Sequence, residues 1–190
     1  MGQVVITGAG RCGSSFLVEF LTHMGLDTGF HPENIREHKD PLADGGAGLE
    51  TIPGSGGPHI VKDMEFRHRA HRILQAGDIE HVIILTRDSA ELKASYRRLW
   101  ARSPWYLRLK LAFKPHQFWI NSLATEPLVC RLLYDVVEKV AQYVVPVTLL
   151  SHPRAMYEPE YLAAKLGWLI GDDATKIWPA WRAATKGYLP

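Results

Sequence analysis

The chain has 190 residues, 46% of them hydrophobic and 22% charged, and its formal net charge is +2. These values are typical of a soluble globular domain. The charge is too small to indicate a nucleic-acid partner, and no apolar run approaches the roughly 18 residues of a membrane span. The two cysteines, Cys12 and Cys130, do not make a disulfide framework. We therefore expect one cytoplasmic domain over residues 1–190, without a transmembrane segment.

The first half of the chain alternates apolar runs with amphipathic segments. Residues 3–7 are typical of a buried strand, and the apolar residues of 14–24 recur at helical spacing. Residues 27–58 are rich in Gly, Pro and acidic residues and show no strand pattern, which predicts a long loop with one helical turn. Residues 59–62 then predict a second strand, and residues 67–76 a second helix.

The second half continues this alternation. Residues 81–86, HVIILT, are nearly all apolar, as expected of a parallel strand that is buried on both faces. The remaining predicted elements are helices over 88–100, 121–143 (interrupted at Pro127) and 158–168, and a strand over 144–150. This order predicts a three-layer, P-loop-like α/β fold, with a mainly parallel central sheet flanked by helices. In such folds, ligands bind beyond the carboxyl ends of the strands.

The segment GAGRCGSS, residues 8–15, has the layout of a phosphate-binding loop between a strand and a helix. Its glycines satisfy the dinucleotide pattern GxGxxG and also the glycine spacing of the triphosphate loop GxxxxGK[ST]. The dinucleotide alternative requires an acidic residue after a second strand, and Asp27 and Glu33 follow no apolar strand. The triphosphate alternative requires a lysine where Ser14 stands, with Asp88 as the magnesium ligand.

A third alternative uses every polar group of this loop. The backbone N–H groups of residues 10–15 would form an anion nest at a helix N-terminus. Arg11 adds a cation, and Ser14 and Ser15 add hydroxyl donors. The alternative without a ligand is a plain turn that carries an exposed arginine.

Three segments resemble motifs of one enzyme family. The loop sequence GRCGSSFL resembles the 5′-phosphosulfate loop of the sulfotransferases that use 3′-phosphoadenosine 5′-phosphosulfate (PAPS). VIILTRDSAELKASYRRL resembles that family's 3′-phosphate motif, in which a strand ends in arginine and a serine follows eight residues later, here Arg87 and Ser95. IVKDMEF resembles a segment whose lysine faces the transferring sulfuryl group, here Lys62, although Met64 stands where the family has proline.

The resemblance implies a sulfotransferase with PAPS as donor, 3′,5′-ADP as product and no metal. Arg11 and Lys62 would neutralise charge during transfer. A general base is expected about twenty residues beyond the loop, at Glu33. Its rivals are His31, Glu37, His38 and Asp63. The residues implied to hold the donor are Gly10, Arg11, Cys12, Gly13, Ser14, Ser15, Phe16, Arg87 and Ser95, with Lys186 and Gly187 as a short match to a late phosphate contact.

The acceptor is left open as a small molecule, carbohydrate or lipid that carries a hydroxyl or amine. Residues 27–58 and 98–119 are the candidate acceptor-site loop and lid. The second segment interleaves aromatic and basic residues, a pattern that also fits peripheral contact with an anionic membrane or an amphipathic helix on the sheet. Two other functions stay open: a P-loop kinase or NTPase, and a non-catalytic nucleotide-binding protein of the same fold.

Overall fold

The computed structural model describes residues 2–40, 47–54, 56–102, 126–171, 173–186 and 188. The strands within these ranges are β1 (Gln3–Gly8), β2 (Lys39–Asp40), β3 (Ala47–Gly48), β4 (Ile60–Lys62), β5 (Ile79–Thr86) and β6 (Val147–Ser151). The helices are α1 (Ser14–His23), α2 (Phe66–Gln75), α3 (Ser89–Arg102), α4 (Glu126–Gln142), α5 (His152–Tyr157), α6 (Pro159–Ile170) and α7 (Ala174–Thr185), with a 3₁₀ helix over Ile35–His38.

The central sheet has four strands, all parallel, in the order β4-β1-β5-β6. The predicted α/β fold with a parallel sheet flanked by helices is confirmed. Because β1 lies between β4 and β5, the segments that follow these three strands meet at the same edge of the sheet. The glycine loop, Lys62 and Arg87 therefore converge there, and His152 reaches the same edge at the end of β6.

Each face of the sheet carries its own apolar core, because alternate residues of a strand point to opposite faces. Ile6, Leu85 and Leu150 face the layer that contains α1, α5, α6 and α7. Val5 and Ile84 face the layer that contains α2 and α4. The chain thus forms three layers, with the long apolar strands β1 and β5 in the middle.

A buried carboxylate anchors the segment between α1 and β4. The side chain of Glu19 in α1 is fully buried, and its Oε1 accepts a hydrogen bond from Arg36 Nε at 3.2 Å. Its Oε2 pairs with Lys39 Nζ at the start of β2. Arg36 also donates to the carbonyl of Ala183 in α7 at 3.0 Å. These contacts hold the segment against α1 and α7.

The prediction of a loop without strands over 27–58 is wrong in part. The 3₁₀ helix agrees with the one predicted helical turn, but the described residues of this segment also contain an antiparallel pair, β2 with β3. Each strand is two residues long, so neither is long enough to show an alternating pattern. Immediately after β3, the buried Leu49 adopts a left-handed backbone with φ 63°.

Three other differences concern helices. Pro127 does not interrupt α4, because it lies in the first turn, where a missing N–H costs nothing. Helices α5 and α7 are not predicted from the sequence, because α5 follows β6 without a linker and α7 contains Pro179, which ordinarily indicates a break. Residues 103–119 of the predicted lid lie outside the described residues. None of the helices in the described part of the chain has the length and hydrophobicity required to cross a membrane.

Substitutions at two adjacent residues of β6 test the register of the sheet. Leu150 is fully buried and Leu149 is 51% exposed. We expect Leu150→Ala to lower the free energy of unfolding by about 3 kcal/mol, through lost burial and the cavity that remains. Leu149→Ala should change it by less than about 0.5 kcal/mol. Urea unfolding measures both, and a one-residue register shift would exchange the two effects.

Candidate functional site

The glycine loop between β1 and α1 approaches neighbouring side chains closely at two positions. Gly13 has φ 89°, and a Cβ there would lie 2.0 Å from Cδ2 of His152. A Cβ on Gly10 would lie 2.4 Å from the hydroxyl oxygen of Tyr96. A side chain at either position would therefore displace a neighbouring ring, and Gly13 additionally requires the left-handed backbone that glycine adopts without strain.

Two of the sequence motifs contact each other at this loop. The Arg11 Nε donates to Ser95 Oγ at 3.1 Å, across 84 residues of sequence. The Arg87 Nη1 donates to the carbonyl oxygen of Arg11 at 2.9 Å, across 76 residues. Arg87 also pairs with Glu91 in the first turn of α3, with Nε and Oε2 3.3 Å apart. The structure thus brings together Arg11, Arg87 and Ser95, with two guanidinium groups beside the loop.

Lys62 lies on the opposite side of the loop, next to β1. Its buried Nζ donates to Ser15 Oγ at 2.8 Å and to the carbonyl oxygen of Gly48. The same ammonium pairs with Glu50 Oε1 at 3.1 Å. Burial lowers the pKa of Lys62, and the Glu50 carboxylate opposes that shift. A backbone carbonyl and a carboxylate therefore occupy the directions in which this lysine would bind an anion.

Glu50 is a candidate functional residue that the sequence analysis missed. Thr51 N donates to the carbonyl of Lys62 at 2.9 Å, and Lys62 N donates to Thr51 Oγ1 at 3.0 Å. These two bonds hold Glu50 beside the end of β4, with half of its side chain exposed. The only sequence signal was an acidic residue in a Gly-rich segment, which does not predict contact with a particular strand.

The predicted general bases lie elsewhere or have other partners. Glu33 and His31 are exposed in the turn before the 3₁₀ helix, and neither side chain bonds to another described residue. Asp63 is buried, pairs with Arg69 and accepts a hydrogen bond from the backbone N–H of Glu65 at 2.9 Å. Its carboxylate therefore stabilises the start of α2. Glu37 and His38 are exposed in the 3₁₀ helix.

The other predicted donor-site residues have different environments. Burial raises the pKa of the Cys12 thiol to about 11, against the opposing charge of Lys62, so this thiol is neutral at pH 7. Ser14 is buried as the first residue of α1. Phe16 lies in the core, edge to face with Tyr188 at a centroid distance of 6.0 Å. Lys186 follows the last turn of α7, and Gly187 lies outside the described residues.

His152 is the second residue that the sequence analysis missed. It directly follows β6 and packs against Gly13 of the loop. Its Nδ1 is fully enclosed and has no hydrogen-bond partner among the described residues. Burial, together with the nearby charges of Arg87 and Arg11, lowers the pKa of His152 to about 4. Its position at the carboxyl end of a predicted strand was the one available signal, and the strand order was needed to use it.

This chain matches no protein-family model, no curated protein and no solved structure. Within the described residues, no three His, Cys, Asp or Glu side chains come together as metal ligands would.

The neutral state of His152 predicts a pH-dependent stability. Its pKa is about 4 in the folded chain, against an ordinary value of 6.5, so the unfolded chain binds a proton first as the pH falls. We expect the wild type to lose about 3 kcal/mol of stability between pH 6.5 and 4 that His152→Gln does not lose. Denaturant unfolding across this range measures the difference.

The matched control is His68→Gln, which replaces an exposed histidine of α2. Its stability should follow the wild-type pH profile. Parallel profiles for the wild type and His152→Gln would contradict the burial of a neutral imidazole.

Proposed function

We propose that this protein is a PAPS-dependent sulfotransferase, which transfers a sulfuryl group from PAPS to a hydroxyl or amine acceptor. The observation that carries the proposal is the direct contact between two separate sequence motifs. Arg11, from the segment that resembles the 5′-phosphosulfate loop, bonds to Ser95 and Arg87, from the segment that resembles the 3′-phosphate motif. A donor with two phosphate groups requires two such sites side by side.

The donor-binding role follows from the charges at the loop. Arg11 and Arg87 supply guanidinium groups, which bind phosphate through charge-assisted hydrogen bonds. The backbone N–H groups at the start of α1 point toward the same edge of the sheet and favour an anion there. Ser14, Ser15 and Ser95 add hydroxyl groups. These hydrogen-bond donors suit the phosphate groups of PAPS, and such binding requires no metal ion.

Lys62 and Glu50 are the residues we assign to the transfer step. PAPS supplies an activated sulfuryl group, and transfer places negative charge on the oxygen that leaves. Lys62 and Arg11 would stabilise that charge, which is the main contribution proteins make to such reactions. Glu50 is half exposed beside Lys62 and would accept the proton of the acceptor hydroxyl. For Lys62 to contact the sulfuryl group, the hydrogen bond from its Nζ to the Gly48 carbonyl must break.

The kinase or NTPase alternative depends on Asp88. Its Oδ1 accepts hydrogen bonds from the backbone N–H groups of Ala90 at 2.9 Å and Glu91 at 3.1 Å. Asp88 therefore acts as the N-cap of α3, a role that many aspartates fulfil without a metal. The loop also has Ser14 at the position where a triphosphate loop has lysine. Both features favour the sulfotransferase proposal over the kinase.

Calorimetry with 3′,5′-ADP tests the donor site. We expect metal-independent binding that Arg87→Ala weakens by about 30-fold, because a charge-assisted contact worth about 2 kcal/mol is lost. Arg97→Ala, which removes an exposed arginine of the same helix α3, should bind like the wild type. Preference for ATP with magnesium, lost in Asp88→Ala, would support the kinase instead.

Two glutamate variants test the general base. We expect Glu50→Gln to lower kcat about 100-fold, the usual contribution of a general base, while 3′,5′-ADP still binds. Release of 3′,5′-ADP from PAPS in the presence of a panel of phenols, sugars and amines measures the rate. Glu160→Gln, which changes an exposed glutamate of α6, serves as the control.

A comparable loss of kcat in Glu33→Gln, with Glu50→Gln active, would identify Glu33 as the general base. Binding of 3′,5′-ADP without transfer to any acceptor would support the non-catalytic alternative.

A further inference from the structure

His152 lies at the loop, and its Nδ1 has no hydrogen-bond partner among the residues that the structure describes. It is the first residue of α5, directly after β6, and so stands at the carboxyl edge of the sheet. A Cβ on Gly13 would lie 2.0 Å from its Cδ2 and 2.9 Å from its Nε2, so the ring is packed against the loop at the start of α1. A smaller or apolar residue would fill this space without burying a polar ring.

Among the described residues, the charged groups that act on this ring are both positive. They are Arg11, from the loop, and Arg87, from the end of β5. Arg87 is itself paired with Glu91, whose side chain is half exposed. The imidazole is therefore kept neutral by burial and by two like charges, which accounts for its low pKa of about 4.

The Nδ1 atom of His152 is buried and unsatisfied. A neutral imidazole has one N–H donor and one acceptor nitrogen, and a buried nitrogen without a partner costs free energy. Nδ1 has no partner among the described residues. A histidine that two arginine charges keep neutral, and whose Nδ1 lacks a partner, is stabilised in its protonated form when a negative charge binds beside the ring.

We propose that His152 is a third cationic group of the donor site, which takes up a proton when a phosphate group binds beside Arg11 and Arg87. This inference rests on the proposed function, since it requires that the loop bind an anion. A dianion nearby offsets the positive field of the two arginines and raises the pKa of the ring by about one to three units. Donor affinity should then increase as the pH falls toward 6.

The test combines calorimetry with NMR of the imidazole nitrogens, with 3′,5′-ADP and inorganic sulfate as probes. Sulfate does not change charge in the range where histidine titrates, so any proton that is taken up from solution when sulfate binds is bound by the protein. At pH 6 the wild type should take up more protons per bound 3′,5′-ADP than His152→Gln does, and the His152 resonances should shift to those of imidazolium. Between pH 7.5 and 5.5, sulfate affinity should rise about tenfold in the wild type and stay level in His152→Gln. His68→Gln should behave like the wild type.

The outcomes separate the two proposals. If both probes bind and His152 stays neutral, with equal proton uptake in the wild type and His152→Gln, the inference is wrong and the proposed function stands. If sulfate binds with proton uptake at His152 but 3′,5′-ADP does not bind, the proposed function is wrong and the inference stands. If neither probe binds, both are wrong.

Discussion

The hydrogen bond from Arg87 to the backbone carbonyl of Arg11 is the contact on which the site depends. Arg11 has φ 67°, a left-handed backbone that costs a non-glycine residue on the order of 1–2 kcal/mol. A hydrogen bond from a charged donor contributes about the same amount, so Arg87 offsets that strain. The contact is available because β1 and β5 are neighbours in a parallel sheet. With Arg11 held in this way, its guanidinium reaches Ser95 on α3.

The other side of the site depends on the segment that Glu19 anchors. Glu19 binds Arg36 and Lys39 at the start of the antiparallel pair β2–β3, and Gly48 of this pair contacts Ser15 and Lys62. That placement brings the Gly48 carbonyl and the Glu50 carboxylate into contact with Lys62. A buried lysine remains charged only where acceptors compensate for lost hydration. Lys62 therefore belongs to two structures at once, the phosphate loop through Ser15 and the anchored segment through these acceptors.

The parts of the fold that could be predicted are those in which local pattern and burial agree. β5 is an apolar run because it is buried on both faces, and the spacing of Arg87 and Ser95 is determined by one strand end and two helical turns. The contacts of Glu50 and His152 could not be predicted in this way. Glu50 depends on a pair of two-residue strands without periodicity, and His152 depends on β6 lying beside β5, which no local pattern specifies.

The environment of Cys12 has a practical consequence. The thiolate is the form that alkylating reagents attack, and a fully buried thiol with a pKa of about 11 provides almost none of it. Cys130 is exposed on α4 and would react directly. In a Cys130→Ser background, the alkylation rate of Cys12 would measure how often the loop opens to solvent. A ligand that closes the loop would slow this labelling, so the chain contains its own reporter of loop motion.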